Sequence, residues 1–240
     1  MDGDSTLGQR AAEEPGRMRS QHIACQNRKT VHANDEGVDM SRRSAARQEA
    51  LDLLAKSPGT ADGPRLIDLF SGCGGLSEGF RQAGFKPVYA VELLEAPSES
   101  YRTNFGCPVF NGRIEDFVDE VRRGSIKLPQ VQVVVGGPPC QGFSPLGKMS
   151  SGESKREMHV KMNSLWNYFA DMLAILKPVA FVTENVPEFL RSVEFLSFIE
   201  RVQKLGYKTT YGVLAADQFG VPQKRRRAFT VGSLSSEPIL

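Results

Sequence analysis

Residues 65–80, RLIDLFSGCGGLSEGF, predict a β-strand that enters a glycine loop and continues into an α-helix. Gly72 and Gly74 tolerate positive φ and let the backbone approach a ligand closely. The helix that follows supplies unpaired N–H groups in its first turn. Ser77 stands where the dinucleotide fingerprint G-x-G-x-x-G requires its third glycine, so the loop departs from that fingerprint. A tight turn that binds no ligand therefore stays open as an alternative.

The alternation of strand and helix continues to the end of the chain. Continuous apolar runs are separated by amphipathic stretches, which is typical of a mostly parallel sheet with helices on both faces. We therefore predict an α/β, Rossmann-like fold whose ligands lie at the carboxyl ends of the strands. The predicted strands are 65–70, 86–92, 131–137, 178–184 and 227–232, and the predicted helices lie near 75–84, 95–104, 114–122, 163–176 and 188–204.

The first 60 residues differ from the rest of the chain. Residues 1–40 are polar and lack periodicity, whereas SRRSAARQEALDLLAK (41–56) predicts a helix that Ser41 could cap. SPGTADGP (57–64) then interrupts regular structure. We therefore predict a flexible tail over 1–60 with a helix near 41–56, followed by one domain over 61–240. His22, Cys25 and His32 match no standard ligand spacing, so we predict no metal site.

Composition limits the class of protein. The chain has 240 residues, 40% of them hydrophobic, and a formal net charge of +2, which is ordinary for a globular protein. No apolar run approaches the roughly 20 residues of a membrane-spanning helix, and the N-terminus has no signal-peptide pattern. The four cysteines form no CxxC pair, which argues against a disulfide scaffold or a zinc ribbon. We therefore expect a reduced, cytoplasmic setting.

Two further residues suggest chemistry at the predicted strand ends. Glu92 ends the second strand, where an acid can hold both hydroxyls of a ribose. With the glycine loop it favours a ribose-containing ligand, and it leaves nicotinamide and adenosyl cofactors both open. VVVGGPPCQGFSPLGK (133–148) places Cys140 on a proline-stiffened loop after a buried strand. A thiol near helix N-termini can ionise and act as a nucleophile, although a structural cysteine stays open.

Four motifs resemble those of the C5-cytosine-specific DNA methyltransferases, and they occur in that family's order. GGPPCQGFS (136–144) resembles the family's catalytic loop, and DLFSGCGGL (68–76) resembles its S-adenosylmethionine loop. ENV (184–186) and QKRRR (223–227) resemble its ENV and Q-x-R-x-R motifs. The resemblance covers residues 65–232 and implies a DNA (cytosine-5-)-methyltransferase that uses S-adenosyl-L-methionine, flips its target cytosine out of double-stranded DNA and belongs to a restriction–modification context.

The resemblance assigns a chemical role to four residues. Cys140 would form a covalent adduct with the cytosine ring, and Glu184 would hold the N3 edge in its protonated form. Arg225 and Arg227 would reach the flipped base, the catalytic loop and nearby phosphate. Because they alternate in an extended segment, their side chains should point the same way, with Arg226 facing away.

The resemblance also implies two sets of binding residues. S-adenosylmethionine would contact Phe70, Gly72, Gly74, Glu92, Leu93, Pro139 and Leu165. DNA would contact Gln141, Ser144, Lys148 and Gln223. The polar segment 148–159 would close over the DNA as a mobile loop.

Three departures from the family pattern qualify these assignments. Arg113 occupies the place of an aspartate that contacts the adenine amino group, with Asp116 a weak substitute. Val160 and Met162 replace an aspartate and an arginine that usually precede Leu165. The eight residues after Gly232 leave no room for a target-recognition region or a final cofactor-completing helix. We therefore expect either a split enzyme with a second, target-recognising polypeptide or a truncated member, and poor methylation by the lone chain.

Three alternatives remain at this point. An RNA methyltransferase that acts on cytosine in tRNA would carry the same motifs. A non-catalytic S-adenosylmethionine-binding remnant is disfavoured by the retention of Cys140 and Glu184. A nicotinamide oxidoreductase is disfavoured by the broken glycine fingerprint and would leave the cysteine loop unexplained.

Overall fold

A computed structural model describes residues 63–139 and 165–240 of the protein. Its centre is a seven-stranded sheet in the order β3-β2-β1-β4-β5-β7-β6. Strands β1 to β5 pair in parallel, and β7 pairs antiparallel with both β5 and β6. The strands are β1 (Arg65–Leu69), β2 (Lys86–Glu92), β3 (Val109–Asn111), β4 (Val133–Gly136), β5 (Ala180–Asn185), β6 (Lys208–Ala215) and β7 (Arg226–Ser233).

Helices cover both faces of the sheet, as the sequence predicts. On one face, Leu66 and Val135 pack against Leu76 and Phe80. On the other face, Ile67 and alternate neighbouring strand residues join a larger core that includes buried residues of three further helices, at 114–118, 166–173 and 195–202. The helices are α1 (Gly75–Gln82), α2 (Glu95–Phe105), α3 (Ile114–Arg123), α4 (Leu165–Leu176) and α5 (Val193–Lys204), with 3-10 turns at Pro187–Arg191 and Ala216–Phe219.

The fold class and the five predicted strands are confirmed within one to two residues at most ends, and four of the helices match similarly. The helix predicted near 188–204 is in fact two elements, because Ser192 ends the 3-10 turn and caps α5. The Ser192 Oγ accepts a hydrogen bond from the Phe195 N–H at 3.1 Å. The hydrophobic pattern does not reveal this break, because both elements contribute buried residues to the same core.

The sequence pattern does not predict the strands β3 and β6, and it does not predict the direction of β7. β3 has only three residues, all half-buried, which is too short for an alternating pattern. β6 lies at the sheet edge and has no fully buried residue, so its sequence lacks a core-facing period. β7 runs against β5, a direction that its apolar pattern does not encode.

Several predictions concern residues outside the described ranges. The 1–60 tail, its helix near 41–56, His22, Cys25 and His32 are among them, as is the loop at 148–159. The division into 1–60 and 61–240 therefore stays a prediction. Within residues 63–139 and 165–240, none of the helices has the length and apolar character needed to cross a membrane.

Candidate active site

The glycine loop leaves the sheet through a backbone turn at Phe70. Phe70 has a φ of 62°, in the left-handed region that a bulky side chain rarely adopts. Gly72 and Gly74 also have positive φ, at 55° and 95°. A Cβ added to Gly74 would lie 2.2 Å from the ring of Phe105, whereas one on Gly72 would meet nothing within 4 Å. Gly74 is therefore needed for packing, and Gly72 faces open space at the sheet edge.

Glu92 closes the other side of this loop. Its Oε2 accepts from the Gly72 N–H at 2.9 Å, and its Oε1 accepts from the Leu94 N–H at 2.9 Å. Each carboxylate oxygen keeps a second acceptor site, so a ligand hydroxyl can still be bound. The neighbouring Leu93 side chain is 58% exposed and offers an apolar surface at the rim. Phe70, Gly72, Gly74, Glu92 and Leu93 thus lie together at the carboxyl ends of β1 and β2.

The two other predicted cofactor residues lie at the same edge of the sheet. Pro139 follows the end of β4 and is half-buried. Leu165 begins α4, which runs back from this edge to the start of β5, and it packs against the large core. The first turn of α1 is also open here, since Gly74 provides no side-chain cap.

Glu184 meets two arginines across the β5–β7 pair. Its Oε1 lies 2.8 Å from Arg227 Nε and 3.9 Å from an Arg225 guanidinium nitrogen. Both arginines therefore approach the same carboxylate, but Arg225 precedes β7, so the predicted alternation within one extended segment stays a prediction. They reach it because the start of an antiparallel strand lies beside the end of its neighbour: Asn185 pairs with Ala228. The side chains of Glu184 and Arg227 are 29% and 26% exposed, so the ion pair is half-buried.

Asn185 is a site residue that the sequence analysis missed. Its side-chain amide donates to the Pro138 carbonyl at 2.9 Å, and its Oδ1 accepts from the Val186 N–H at 2.7 Å. The buried amide therefore ties the end of β5 to the backbone that leads into Cys140. A Cβ added to Gly137 would lie 3.4 Å from Glu184 Oε2, which places that carboxyl beside the same backbone. The asparagine of the ENV motif was the available signal, because an amide at a strand end can bridge two loops.

We expect Asn185→Ala to destabilise the fold and slow any chemistry that depends on the 137–140 backbone. The substitution leaves the Pro138 carbonyl without its buried donor, which costs about 1–3 kcal/mol of unfolding free energy. Urea denaturation measures this change, with Asn167→Ala on the exposed face of α4 as the matched control. Equal midpoints for the two variants would contradict the assignment.

A buried carboxyl lies under the glycine loop. Asp68 is 1% exposed, and its Oδ2 accepts from the Ser77 hydroxyl at 2.6 Å. Burial, together with the nearby Glu92 charge, raises the pKa of Asp68 to about 7. The hydrogen bond from Ser77 has the opposite effect and limits this rise. Burial likewise raises the pKa of the Cys107 thiol to about 11.

We expect the Asp68 carboxyl to make unfolding depend on pH. Its pKa is higher in the folded protein than in the unfolded chain, so its contribution is fully present below pH 3.8 and is lost as the pH rises through about 7. Between pH 5 and pH 8 the free energy of unfolding of the wild type should fall by on the order of a few kcal/mol relative to that of Asp68→Asn. Urea denaturation across this range tests it, with the exposed Asp119→Asn as control. If the difference in unfolding free energy between the wild type and Asp68→Asn stays constant with pH, this prediction is wrong.

Arg113, the residue that departs from the family pattern on the adenine side, contacts a neighbouring acid. Arg113 precedes α3 and forms an ion pair with Glu115, and its side chain is 47% exposed. Asn111, at the end of β3, instead donates to the Glu92 carbonyl, the Leu93 carbonyl and the Ser98 hydroxyl, each at 3.1 Å. This amide holds the end of β2 in place and was not foreseen from the sequence.

Of the predicted DNA-contacting residues, Gln223 lies in the part of the chain that the structure describes, and Gln141, Ser144 and Lys148 lie outside it. The predicted nucleophile Cys140 and the positions Val160 and Met162 also lie outside it. Gln223 is exposed just before β7. Its carbonyl accepts from the Arg225 N–H at 2.8 Å, and the Arg225 carbonyl accepts from the Ala216 N–H at 2.9 Å. Gln223 and Arg225 therefore form a tight turn beside Glu184.

Comparison with known proteins identifies a family for this arrangement. The model of the C-5 cytosine-specific DNA methylase family matches residues 64–240. The type II methyltransferase M.HindV of Haemophilus influenzae is 37% identical over 173 residues, which are 72% of this chain and 54% of that protein. M.XorII of Xanthomonas oryzae pv. oryzae is 38% identical over 186 residues, which are 72% of this chain and 41% of that protein. The chain therefore spans about half the length, or less, of these relatives.

Solved structures agree with the fold. A prophage-encoded DNA modification methyltransferase candidate from E. coli superposes with a TM-score of 0.58 at 29% identity, covering 71% of this chain and 47% of that one. The S. pombe Dnmt2 methyltransferase superposes with a TM-score of 0.53 at 20% identity, covering 74% of this chain and 51% of that one. The second likeness concerns the fold alone.

Proposed function

Because this chain belongs to the C-5 cytosine-specific DNA methylase family, we propose that it transfers a methyl group from S-adenosyl-L-methionine to C5 of cytosine in double-stranded DNA. The observation that supports this proposal best is the position of the Glu184 carboxyl. It is held by Arg227 at 2.8 Å and lies beside the Gly137 backbone, three residues before Cys140. An acid beside the backbone that leads to a cysteine suits an addition to a pyrimidine ring, which uses a proton donor and a thiolate.

The chemistry proposed for these residues starts at C6 of the cytosine. The Cys140 thiolate adds to C6, and the displaced electron density moves toward N3, where Glu184 donates a proton. C5 thereby becomes nucleophilic enough to take the methyl group of S-adenosylmethionine, which would leave as S-adenosylhomocysteine. Loss of the C5 proton to water, return of the N3 proton to Glu184 and cleavage of the bond between sulfur and C6 then restore the aromatic ring and the thiolate.

Arg227 gives Glu184 a defined orientation in this scheme. Its Nε occupies Oε1, and its guanidinium also donates to the Arg226 carbonyl at 2.8 Å, so the fork is fixed at two points. Oε2 remains on the side of the Gly137 backbone, three residues before Cys140 in the sequence. We propose that Oε2 carries the proton for N3.

The glycine-loop edge fits S-adenosylmethionine, which supplies an electrophilic methyl group when it is bound. Glu92 would bind the ribose hydroxyls, and Gly72 offers open space beside it. Phe70 and Leu93 would contact the adenine, with Gly74, Pro139 and Leu165 completing the wall. The exposed Leu93 supports this assignment, since an apolar rim side chain suits a purine face.

Base flipping is part of the proposal, because C5 and C6 are hidden within a stacked duplex. Gln141, Ser144, Lys148 and Gln223 would contact the DNA, and Arg225 would reach a phosphate. The relatives M.HindV and M.XorII are type II methyltransferases, which supports a restriction–modification role in the cytoplasm, at the nucleoid if the source is prokaryotic. We propose that a second polypeptide supplies target recognition.

The decisive experiment is methyl transfer from labelled S-adenosylmethionine to cytosine-containing duplex DNA and to tRNA, with and without candidate partner proteins. We expect transfer to DNA, weak with the chain alone and strong with the partner. Preference for tRNA would make the chain an RNA methyltransferase instead. Robust sequence-specific transfer to DNA by the chain alone would refute the requirement for a partner.

A further inference from the structure

Three buried side chains form a hydrogen-bonded row beneath the glycine loop. The Tyr101 hydroxyl lies 2.7 Å from the Ser77 hydroxyl, which lies 2.6 Å from Asp68 Oδ2. Tyr101 and Ser77 are both fully buried. Because an ionised carboxylate only accepts, the row runs from the Tyr101 O–H through the Ser77 O–H to Asp68. It links α2, α1 and β1, the three elements around the loop.

Helix α2 contacts both sides of the proposed cofactor site. Its Phe105 ring packs so closely on Gly74 that a Cβ there would lie 2.2 Å away. Phe105 in turn packs on the Tyr101 ring, with centroids 4.4 Å apart. At its other end, α2 begins three residues after Glu92. A shift of α2 would therefore move the glycine loop relative to Glu92.

We propose that Tyr101 and Ser77 are positioning residues for the cofactor, whose hydrogen-bonded row to Asp68 fixes α2 against the glycine loop. The Gly72 amide and the Glu92 carboxylate then stay at the spacing that the ligand requires. Neither side chain touches the ligand, because both are fully buried. The inference rests on the proposed use of S-adenosylmethionine.

The row has a consequence for pH. Among the described residues, the titratable groups that act on Asp68 are Glu92, Tyr101 and Cys107. None of these is a cation, so the hydroxyl row is what stabilises the ionised carboxylate. Protonation of Asp68 weakens the row, because a neutral carboxyl is a poorer acceptor than a carboxylate. Affinity for the cofactor should therefore fall as the pH drops below about 7, the pKa of Asp68.

Tyr101→Phe and Ser77→Ala test the row with little other disturbance. Phenylalanine keeps the ring against Phe105, and alanine favours the α1 helix. Tyr207→Phe is the matched control, since the Tyr207 hydroxyl donates to the Pro178 carbonyl at 2.8 Å and is also buried. All variants are made in the full chain. Their dissociation constants for S-adenosylmethionine are measured by calorimetry between pH 6 and pH 8.5.

We expect Tyr101→Phe and Ser77→Ala to bind roughly threefold to tenfold more weakly than the wild type at pH 7.5, as the loss of one buried hydrogen bond predicts. The pH midpoint of binding should move upward in Tyr101→Phe, because Asp68 loses support for its charged form, and the pH dependence should flatten in Ser77→Ala, because no hydrogen bond from the row to Asp68 remains. Tyr207→Phe should keep the wild-type affinity and midpoint. Unchanged affinity and an unchanged midpoint in both test variants would overturn the inference.

A second measurement decides the point without any cofactor. Amide hydrogen exchange of the peptide that covers residues 70–76 should be faster in Tyr101→Phe and Ser77→Ala than in the wild type and Tyr207→Phe. Equal exchange in all four proteins would overturn the positioning role. If the wild type binds no S-adenosylmethionine at all, the proposed function fails, while the exchange result still shows whether the row holds the loop.

Discussion

Cys140→Ala is expected to reduce methyl transfer by about 10⁴-fold or more, because without a thiolate at C6 the C5 carbon of cytosine is too weak a nucleophile. A duplex with 5-fluorocytosine at the target position tests the covalent step itself. Fluorine cannot leave C5 as a proton does, so the bond between sulfur and C6 persists once the methyl group has been transferred. The wild-type chain, with S-adenosylmethionine and the proposed second polypeptide, should form a denaturation-resistant complex with this DNA.

The control for this prediction is Cys25→Ser, which removes a thiol outside the predicted 61–240 domain. This variant should be trapped as efficiently as the wild type, whereas Cys140→Ala should give no complex. Peptide mapping of the trapped species should place the adduct on Cys140. An adduct on another side chain, or no adduct in a preparation that methylates unmodified DNA, would contradict the covalent mechanism.

Glu184→Gln is expected to lower kcat by about 10²-fold to 10⁴-fold, the usual contribution of a positioned proton donor. Glutamine has nearly the same shape and can still hydrogen-bond to N3, but it has no acidic proton to give. The glutamine oxygen can still accept from Arg227 Nε, which lies 2.8 Å from Glu184 Oε1, so the orientation of the side chain should be kept. The affinity for S-adenosylmethionine should change little, because Glu92, not Glu184, borders the glycine loop.

Single-turnover methyl transfer measures this effect separately from cofactor binding. Glu188→Gln provides the control, since Glu188 is an exposed acid four residues further along the chain. It should retain the wild-type rate. A Glu184→Gln variant with a wild-type single-turnover rate would remove Glu184 from the chemistry, and the family's proton donor would have to be sought elsewhere.

Much of the site was predictable because its residues are next to one another in the sequence. The turn from β1 into α1 needs positive φ at Gly72 and Gly74, and short-range steric rules already require glycine there. Glu92 could be placed at the end of β2 because a continuous apolar run, KPVYAVE, ends at that residue. Two backbone N–H groups donate hydrogen bonds to the Glu92 carboxylate. This arrangement could not be predicted from the apolar run, because one donor lies 20 residues upstream.

Three features follow from the amino-acid sequence: the alternation of strands and helices, the sheet edge at which the motifs lie, and the residue types available for chemistry. These depend on local backbone preferences and on the periodicity of apolar residues, which short stretches encode. Only the tertiary structure decided that β7 runs antiparallel to β5, so that Arg227 meets Glu184, and that Asn185 ties to Pro138. It also decided that Asp68 is buried behind Ser77 and Tyr101. These contacts join residues 9 to 47 positions apart, and their energies depend on burial and on hydrogen-bond geometry that exist only once the sheet has assembled.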